Sequence, residues 1–475
     1  MRNAPNRLYR NMKSAGCGQE VRTLRGQTMT TAIVGATVID ATGNQPVENA
    51  TVLIDDTGSI VSITPSEQSE LPSGVSIVDA VGKFVIPGLI DANVHLLLHC
   101  DPDVLLRFEH GVYDDLILEA AQITLRAGFT TVFDTWGPLE SLRRTRDKIS
   151  NGTEVGSRIY FAGHMIGNGG PWSPDFYPQS DINSAVMDEV NSHWTHGVGD
   201  ELPWRSSEDV GIAVREYIER TGVDFIKFGG SVHQHLLYQV FSPYAQQAIV
   251  EEAHAAGLVA QACTTTAEAV KTVMASGVDL LQHGDFTGRY PMPDSLVEQI
   301  ASEQMPCVAL LTTDRFLDAI GGDPSKMGDS KMGDLYTVKD QNDRALIAAG
   351  ARLLLGTDGG VYDSNWATSP VWGPVLAVPD WYGLLGTSHL YWLQAAQERS
   401  MKPMDILMSA TRNVAEAYGK LDEIGTLEPG KRADLLVLEG NPLEDASNYG
   451  RIAQIFQDGQ LIDRDELPRN PVLTK

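Results

Sequence analysis

From residue 86 to about residue 420 the chain repeats one unit: a short apolar run ending in polar residues, then an amphipathic stretch. The apolar runs are FVIPGLIDANVH, GFTTVFDTW, SRIYFAG, VDFIKFGG, GLVAQAC, VDLLQHG, PCVALL and RLLLGTD, eight in all. Runs of this length read as strands. The stretches between them, such as YAQQAIVEEAHAAG and TAEAVKTVMASG, read as helices closing on Gly257 and Gly277. Eight strands alternating with helices predict an α/β fold closed into a (β/α)8 TIM barrel. Polar residues just past each apolar run would then stand on the C-terminal rim, where barrel active sites are built. An open doubly wound sheet is the rival, but no glycine-rich dinucleotide loop opens a helix here.

The flanks have a different texture. Thr31 to Val81 is a series of short β-rich runs broken by Gly and Asn, and similar text returns in IGTLEPGKRADLLVLEG and RIAQIFQDGQLID. These predict a small antiparallel β-sandwich assembled from both termini. The expected division is a basic arm over 1–28, sandwich over 29–85, barrel over 86–420 and sandwich again over 421–475. The arm holds six basic residues and one acidic, Glu20, without apolar periodicity, and is expected to be dispensable for fold and catalysis.

Over 475 residues, 36 Lys and Arg stand against 62 Asp and Glu, a formal charge of −26, which argues against nucleic acid and anionic membranes as partners. No apolar run approaches the roughly 20 residues of a membrane span. Cys17, Cys100, Cys263 and Cys307 form no CxxC pair or disulfide framework, so a reducing cytoplasm is expected.

Four strand ends carry five residues suited to metal or proton chemistry. Any one alone could be structural, a turn-forming Asn, a core His or a lysine reaching solvent, but four such ends on one rim point to a site. In an extended strand Asn93 and His95 project the same way; His offers an imidazole, Asn a weak carbonyl oxygen or hydrogen bonds. Lys227 sits among apolar strand residues, where a lysine must be neutralised, paired or modified; a carbamate made with CO2 would turn it into an anionic oxygen ligand. His283 and Asp358 each follow an apolar strand and precede a glycine expected to permit a sharp turn. Asp358 could bind metal and take a proton from an attacking water.

In order along the chain, PGLID.N.H, GFTTV.D, DFIKF, GVD..QHG, LLLGTD, ATRNVAEAYG and IGTLEPGKRADLLVLEGNPLED resemble the amidohydrolase superfamily, from Thr31 to about Asp463. The resemblance implies a metal site of His95, Lys227 (carboxylated), His283 and Asp358, with Asp358 as general base. It implies one or two divalent ions per subunit, Zn2+ first and Co2+, Mn2+ or Fe2+ as alternatives, and a homo-oligomer. Two positions depart from the pattern. Asn93 replaces the first His of the usual HxH, and Cys263 stands where a strand-five His is expected, either as a thiolate ligand or as a lost ligand in a one-metal site. The NxH variant is similar to phenylurea hydrolases and molinate hydrolase, which act on carbamoyl xenobiotics.

That implies a neutral small-molecule substrate whose carbamoyl C–N or C–S bond is hydrolysed. Trp136, Trp172, Trp366 and Trp372 follow expected strands and could wall an apolar pocket, with core packing as the alternative role for any one of them. His233 and His235, in the loop after Lys227, could contact substrate or substitute as ligands; His254, within a helix, is expected to be structural. A prolidase-like dipeptidase or N-acyl amino acid hydrolase is the alternative enzyme, with Arg289 and Arg315 as its carboxylate-binding candidates. A non-catalytic binding or assembly protein is the alternative outside enzymes.

Overall fold

The computed structural model describes residues 29–97, 105, 107–108, 111–171, 173, 184–231, 239–321, 332–361 and 376–473. The N-terminal strands are β1 (Met29–Val38), β2 (Val47–Asp55), β3 (Ile60–Pro65), β4 (Ser76–Asp79) and β5 (Phe84–Pro87). Next come β6 (Leu89–His95), β7 (Phe129–Asp134), β8 (Arg158–Phe161), β9 (Phe225–Gly229) and β10 (Val259–Cys263). They are followed by β11 (Leu280–Gln282), β12 (Cys307–Ala309), β13 (Leu353–Leu355) and β14 (Gly359–Gly360). The last three are β15 (Leu435–Leu438), β16 (Ile452–Gln457) and β17 (Gln460–Leu461).

Each of the eight expected barrel runs contains a strand. β6, β7 and β8 pair in parallel, as do β9 through β13 in order. Backbone hydrogen bonds join the two sheets at both seams. Asp224 N–H donates to the Phe161 carbonyl (3.0 Å) and Ile166 N–H to that of Lys227 (2.9 Å), while Asp358 N–H donates to that of Asn93 (2.8 Å) and β14 pairs with β6. The ring encloses Ile90, Ala92, Phe133, Phe225, Leu280, Val308 and Leu354. Its floor is closed by Tyr418, whose ring stacks 3.7 Å from that of Phe133. Helices cover the outside, and several begin where a hydroxyl caps the first turn: Ser206, Ser242 and Thr266 accept from the backbone N–H three residues on.

Strands from both ends of the chain form one eight-stranded sheet, ordered β17-β16-β15-β5-β1-β2-β3 with β4 also on β1. It is mixed where a purely antiparallel arrangement was expected, because β4 and β5 run alongside successive halves of β1 in the same direction as β1. Alternation of apolar residues sets which face of a strand is buried. It leaves the sense of the neighbour to the connection. Arg158 on β8 ties barrel to sheet, its buried guanidinium bonding Asp434 and, at 2.8 Å, Asp458. Among the described residues no helix is long and apolar enough to cross a membrane.

Candidate active site

β6 brings two of the site residues to the rim, and it does so irregularly. Its register against β7 slips between Asp91 and Val94, giving β6 one residue more than its partner there. Asp91 holds this stretch: Oδ1 accepts the Asn93 N–H (2.8 Å) and Oδ2 the Thr357 hydroxyl (2.7 Å). The end of β6 is thereby latched to the turn that carries Asp358.

His95 lies with Nδ1 3.2 Å from the Trp136 carbonyl and Nε2 2.9 Å from Asp358 Oδ1. A carbonyl can only accept, so Nδ1 carries a hydrogen and Nε2 faces the site. Asn93 places Nδ2 3.0 Å from Asp358 Oδ1 and 3.2 Å from His283 Nε2. Its Oδ1 points away and accepts from the Thr135 hydroxyl. The amide thus turns its NH2 rather than its oxygen toward Asp358, because a carboxylate 3.0 Å away demands a donor. Thr135 in turn accepts from Lys227 Nζ at 3.0 Å.

His283 and Asp358 correct the expectation about their turns. The residues themselves are left-handed, with φ of 55° and 51°, while Gly284 and Gly359 have no positive φ. Such backbones cost roughly 1–3 kcal/mol each and concentrate at functional sites. The glycines are needed for space: a Cβ on Gly284 would lie 2.5 Å from Cys307 Sγ, and one on Gly359 would lie 2.9 Å from Thr357 Oγ1.

Burial alone would push the Asp358 carboxyl up, but His283, His95 and Lys227 outweigh it and hold the group well below the usual carboxylate range. Burial pulls the Lys227 amine and the His283 imidazole down. It pushes the Cys263 thiol up to about 12.

His95, His283 and Asp358 thus aim two imidazoles and an ionised carboxylate at one point, a donor set suited to a divalent ion. As placed, His95 Nε2 bonds Asp358 Oδ1 at 2.9 Å and His283 Nε2 lies 3.7 Å from the same oxygen, and no group of three His, Cys, Asp or Glu among the described residues has the geometry of a metal site. The chemistry of the set fits an ion that would replace these direct contacts. Cys263 lies on β10 beside β9, its residue paired with Gly229, two positions beyond Lys227. Replacing it with alanine tests its part. Metal content unchanged on elemental analysis would remove the thiol from the ligand set; a loss of about one ion per subunit, or of about tenfold or more in affinity, would place it there.

Trp136 is corrected as a pocket wall. Its side chain is 1% exposed, packs edge-on to Trp194 and gives its indole N–H to His164 Nδ1 (3.1 Å). What it offers the site is its carbonyl. Trp172, His233, His235, Trp366 and Trp372 lie outside the described residues. His254 pairs with Asp279 on an outer helix, Arg289 is exposed, and Arg315 is bonded to Asp380 at 3.2 Å. Sequence reading passed over Thr135, Asp91 and Asp134. Asp134 is buried, accepts the Leu96 N–H (2.8 Å), and burial pushes its carboxyl up to about 6. A signal was present: GFTTVFDTW and GLIDANVH each end in more polar groups than a strand terminus needs.

The Amidohydrolase family pattern matches residues 84–462. Ochratoxinase of Aspergillus niger is 24% identical over 440 residues, covering 88% of this chain and 83% of that protein. Among solved structures, molinate hydrolase superposes with a TM-score of 0.86 at 34% identity, covering 94% of this chain and 98% of that one. Phenylurea hydrolase B gives 0.82 and 32%, covering 94% and 99%. With the pattern spanning the barrel and both likenesses running nearly end to end, the chain belongs to the amidohydrolase family, in the group of the molinate and phenylurea hydrolases.

Proposed function

We propose that this protein hydrolyses the carbamoyl C–N or C–S bond of a neutral xenobiotic, such as an N,N-dialkyl phenylurea or a thiocarbamate. The observation behind this reading is the Asn93–His95 pair, set against Asp358 in a fold that resembles molinate hydrolase and phenylurea hydrolase B along almost its whole length. His95, His283 and Asp358 would hold a divalent ion, zinc first, with carboxylated Lys227 and Cys263 as further ligands where a second ion is used. When bound, the ion polarises the substrate carbonyl and makes water nucleophilic near neutral pH.

The chain's own residues supply the rest. Trp136, through its carbonyl, keeps the His95 ring turned so that Nε2 faces the reaction centre. Asp358, kept ionised by its neighbours, accepts the proton of the attacking water as oxygen bonds to the carbonyl carbon. It then gives that proton to the departing nitrogen or sulfur as the bond to carbon breaks. A urea or thiocarbamate carbonyl is deactivated by electron donation from nitrogen, so polarisation and proton transfer are both needed.

The test is steady-state hydrolysis of matched phenylurea, thiocarbamate and dipeptide substrates by metal-loaded protein. A carbamoyl substrate should turn over with kcat/KM on the order of 10^4 M−1s−1 or more. Inert ureas and thiocarbamates beside a rapidly cleaved dipeptide would replace this reading with the dipeptidase one. We also infer self-association into a homo-oligomer, to be checked by sedimentation.

A further inference from the structure

We infer that Thr135 couples the chemical state of Lys227 to the orientation of the Asn93 amide, and so to the ion-holding face of the site. This rests on the reading of His95, His283 and Asp358 as ligands. Lys227 Nζ donates to Thr135 Oγ1 (3.0 Å), the Thr135 hydroxyl to Asn93 Oδ1, and Asn93 Nδ2 to Asp358 Oδ1 (3.0 Å). Lys227 is 1% exposed, and Thr135 and Asn93 are fully buried, so solvent does not substitute for these partners.

A hydroxyl has one hydrogen to give. While Lys227 is an amine, it donates to the Thr135 oxygen, and the single Thr135 hydrogen goes to Asn93 Oδ1. The amide is then locked with its NH2 toward Asp358 and His283. An NH2 group offers no lone pair to a cation and repels one. In the amine state Asn93 therefore works against an ion at this point.

Carboxylation reverses the chain of donors. The Nζ lone pair attacks the carbon of CO2, an N–C bond forms, one C–O π pair moves onto oxygen, and an N–H proton leaves to solvent. The lysine end now presents anionic oxygens that only accept. Thr135 turns its hydrogen to them and its lone pair to Asn93. The amide rotates about its soft terminal torsion, giving Nδ2–H to Thr135 and Oδ1 to the ion. Thr135 is thus a positioning residue, and carboxylation and ion binding each favour the other by the same factor.

The experiment uses metal-free full-length protein with no substrate present. Zn2+ is titrated calorimetrically in degassed buffer and again with 13C-bicarbonate, and the carbamate carbon is read by NMR. Bicarbonate should raise the affinity of the natural protein about tenfold or more, within the usual range of couplings. Thr135→Ser, which keeps the hydroxyl, should retain that effect. Thr135→Val, similar in shape, should reduce it to about threefold or less, and Asn93→Ala, which removes the far end of the relay, should do the same. A natural protein indifferent to bicarbonate, or Thr135→Val and Asn93→Ala proteins with its full response, would overturn the inference. Failure of every carbamoyl substrate alongside an intact bicarbonate effect would overturn only the proposed function.

Discussion

Replacing Asp358 by asparagine should lower kcat by roughly 10²–10⁴-fold, the usual contribution of a general acid–base group. The substitution keeps the volume and one acceptor oxygen, so the Asn93 amide that now donates to Asp358 Oδ1 retains a partner. The left-handed backbone at Asp358 (φ 51°) also suits asparagine, so no new strain is introduced. The fold should survive, with an unchanged circular dichroism spectrum and part of the metal retained. What disappears is the negative charge that takes the proton. Turnover within about threefold of the natural protein, with metal bound, would remove Asp358 from the mechanism.

The second large effect lies behind the site. Lys339 is 1% exposed and bonds Asp343 Oδ2 at 2.8 Å and Asp285 Oδ2 at 3.1 Å, both carboxylates being fully buried. Asp285 also accepts the Leu310 N–H (2.9 Å), and Asn342 holds the Asp285 carbonyl (2.8 Å) and Thr287 Oγ1 (2.7 Å). The cluster pins the turn that begins at His283. Lys339→Met keeps the apolar stem and removes the charge, leaving two buried carboxylates facing each other. Breaking a buried pair in this way costs about 3–5 kcal/mol, to be read from urea denaturation. The deficit should depend on pH with a definite sign. A carboxyl whose folded pKa is raised binds protons more tightly folded than unfolded, so the variant recovers stability as pH falls and loses most at high pH. Burial already pushes Asp343 up to about 7 with the lysine present, and without it the shift grows. Equal stability of the two proteins at pH 8 would show that the cluster does not bear on the fold.

How far the molecule could be read from its sequence depends on the range over which each feature is encoded. The barrel was legible because its strands and helices announce themselves within about ten residues, through apolar runs and glycine stops such as Gly257 and Gly277. The placement of His95, Lys227, His283 and Asp358 was legible for a related reason: polar groups at the ends of apolar strands in a parallel barrel stand on one rim. The direction of β4 and β5 was not, since apolar alternation reads the same whichever way a neighbour runs.

The sequence by itself determined the eight-strand alternation, the return of the C-terminal strands beside the N-terminal ones, and which side chains could reach the rim. Only the tertiary structure decided how those side chains face one another. Asn93 and Asp358 are 265 residues apart, and the 3.0 Å contact between them turns a potential ligand into a donor. It depends on the slipped register of β6, on a left-handed backbone at Asp358 rather than at the following glycine, and on a threonine that takes its orders from a buried lysine. Periodicity records which face of a strand is buried. The direction of a hydrogen bond is settled by what stands on its other side, and the fold alone brings that partner there.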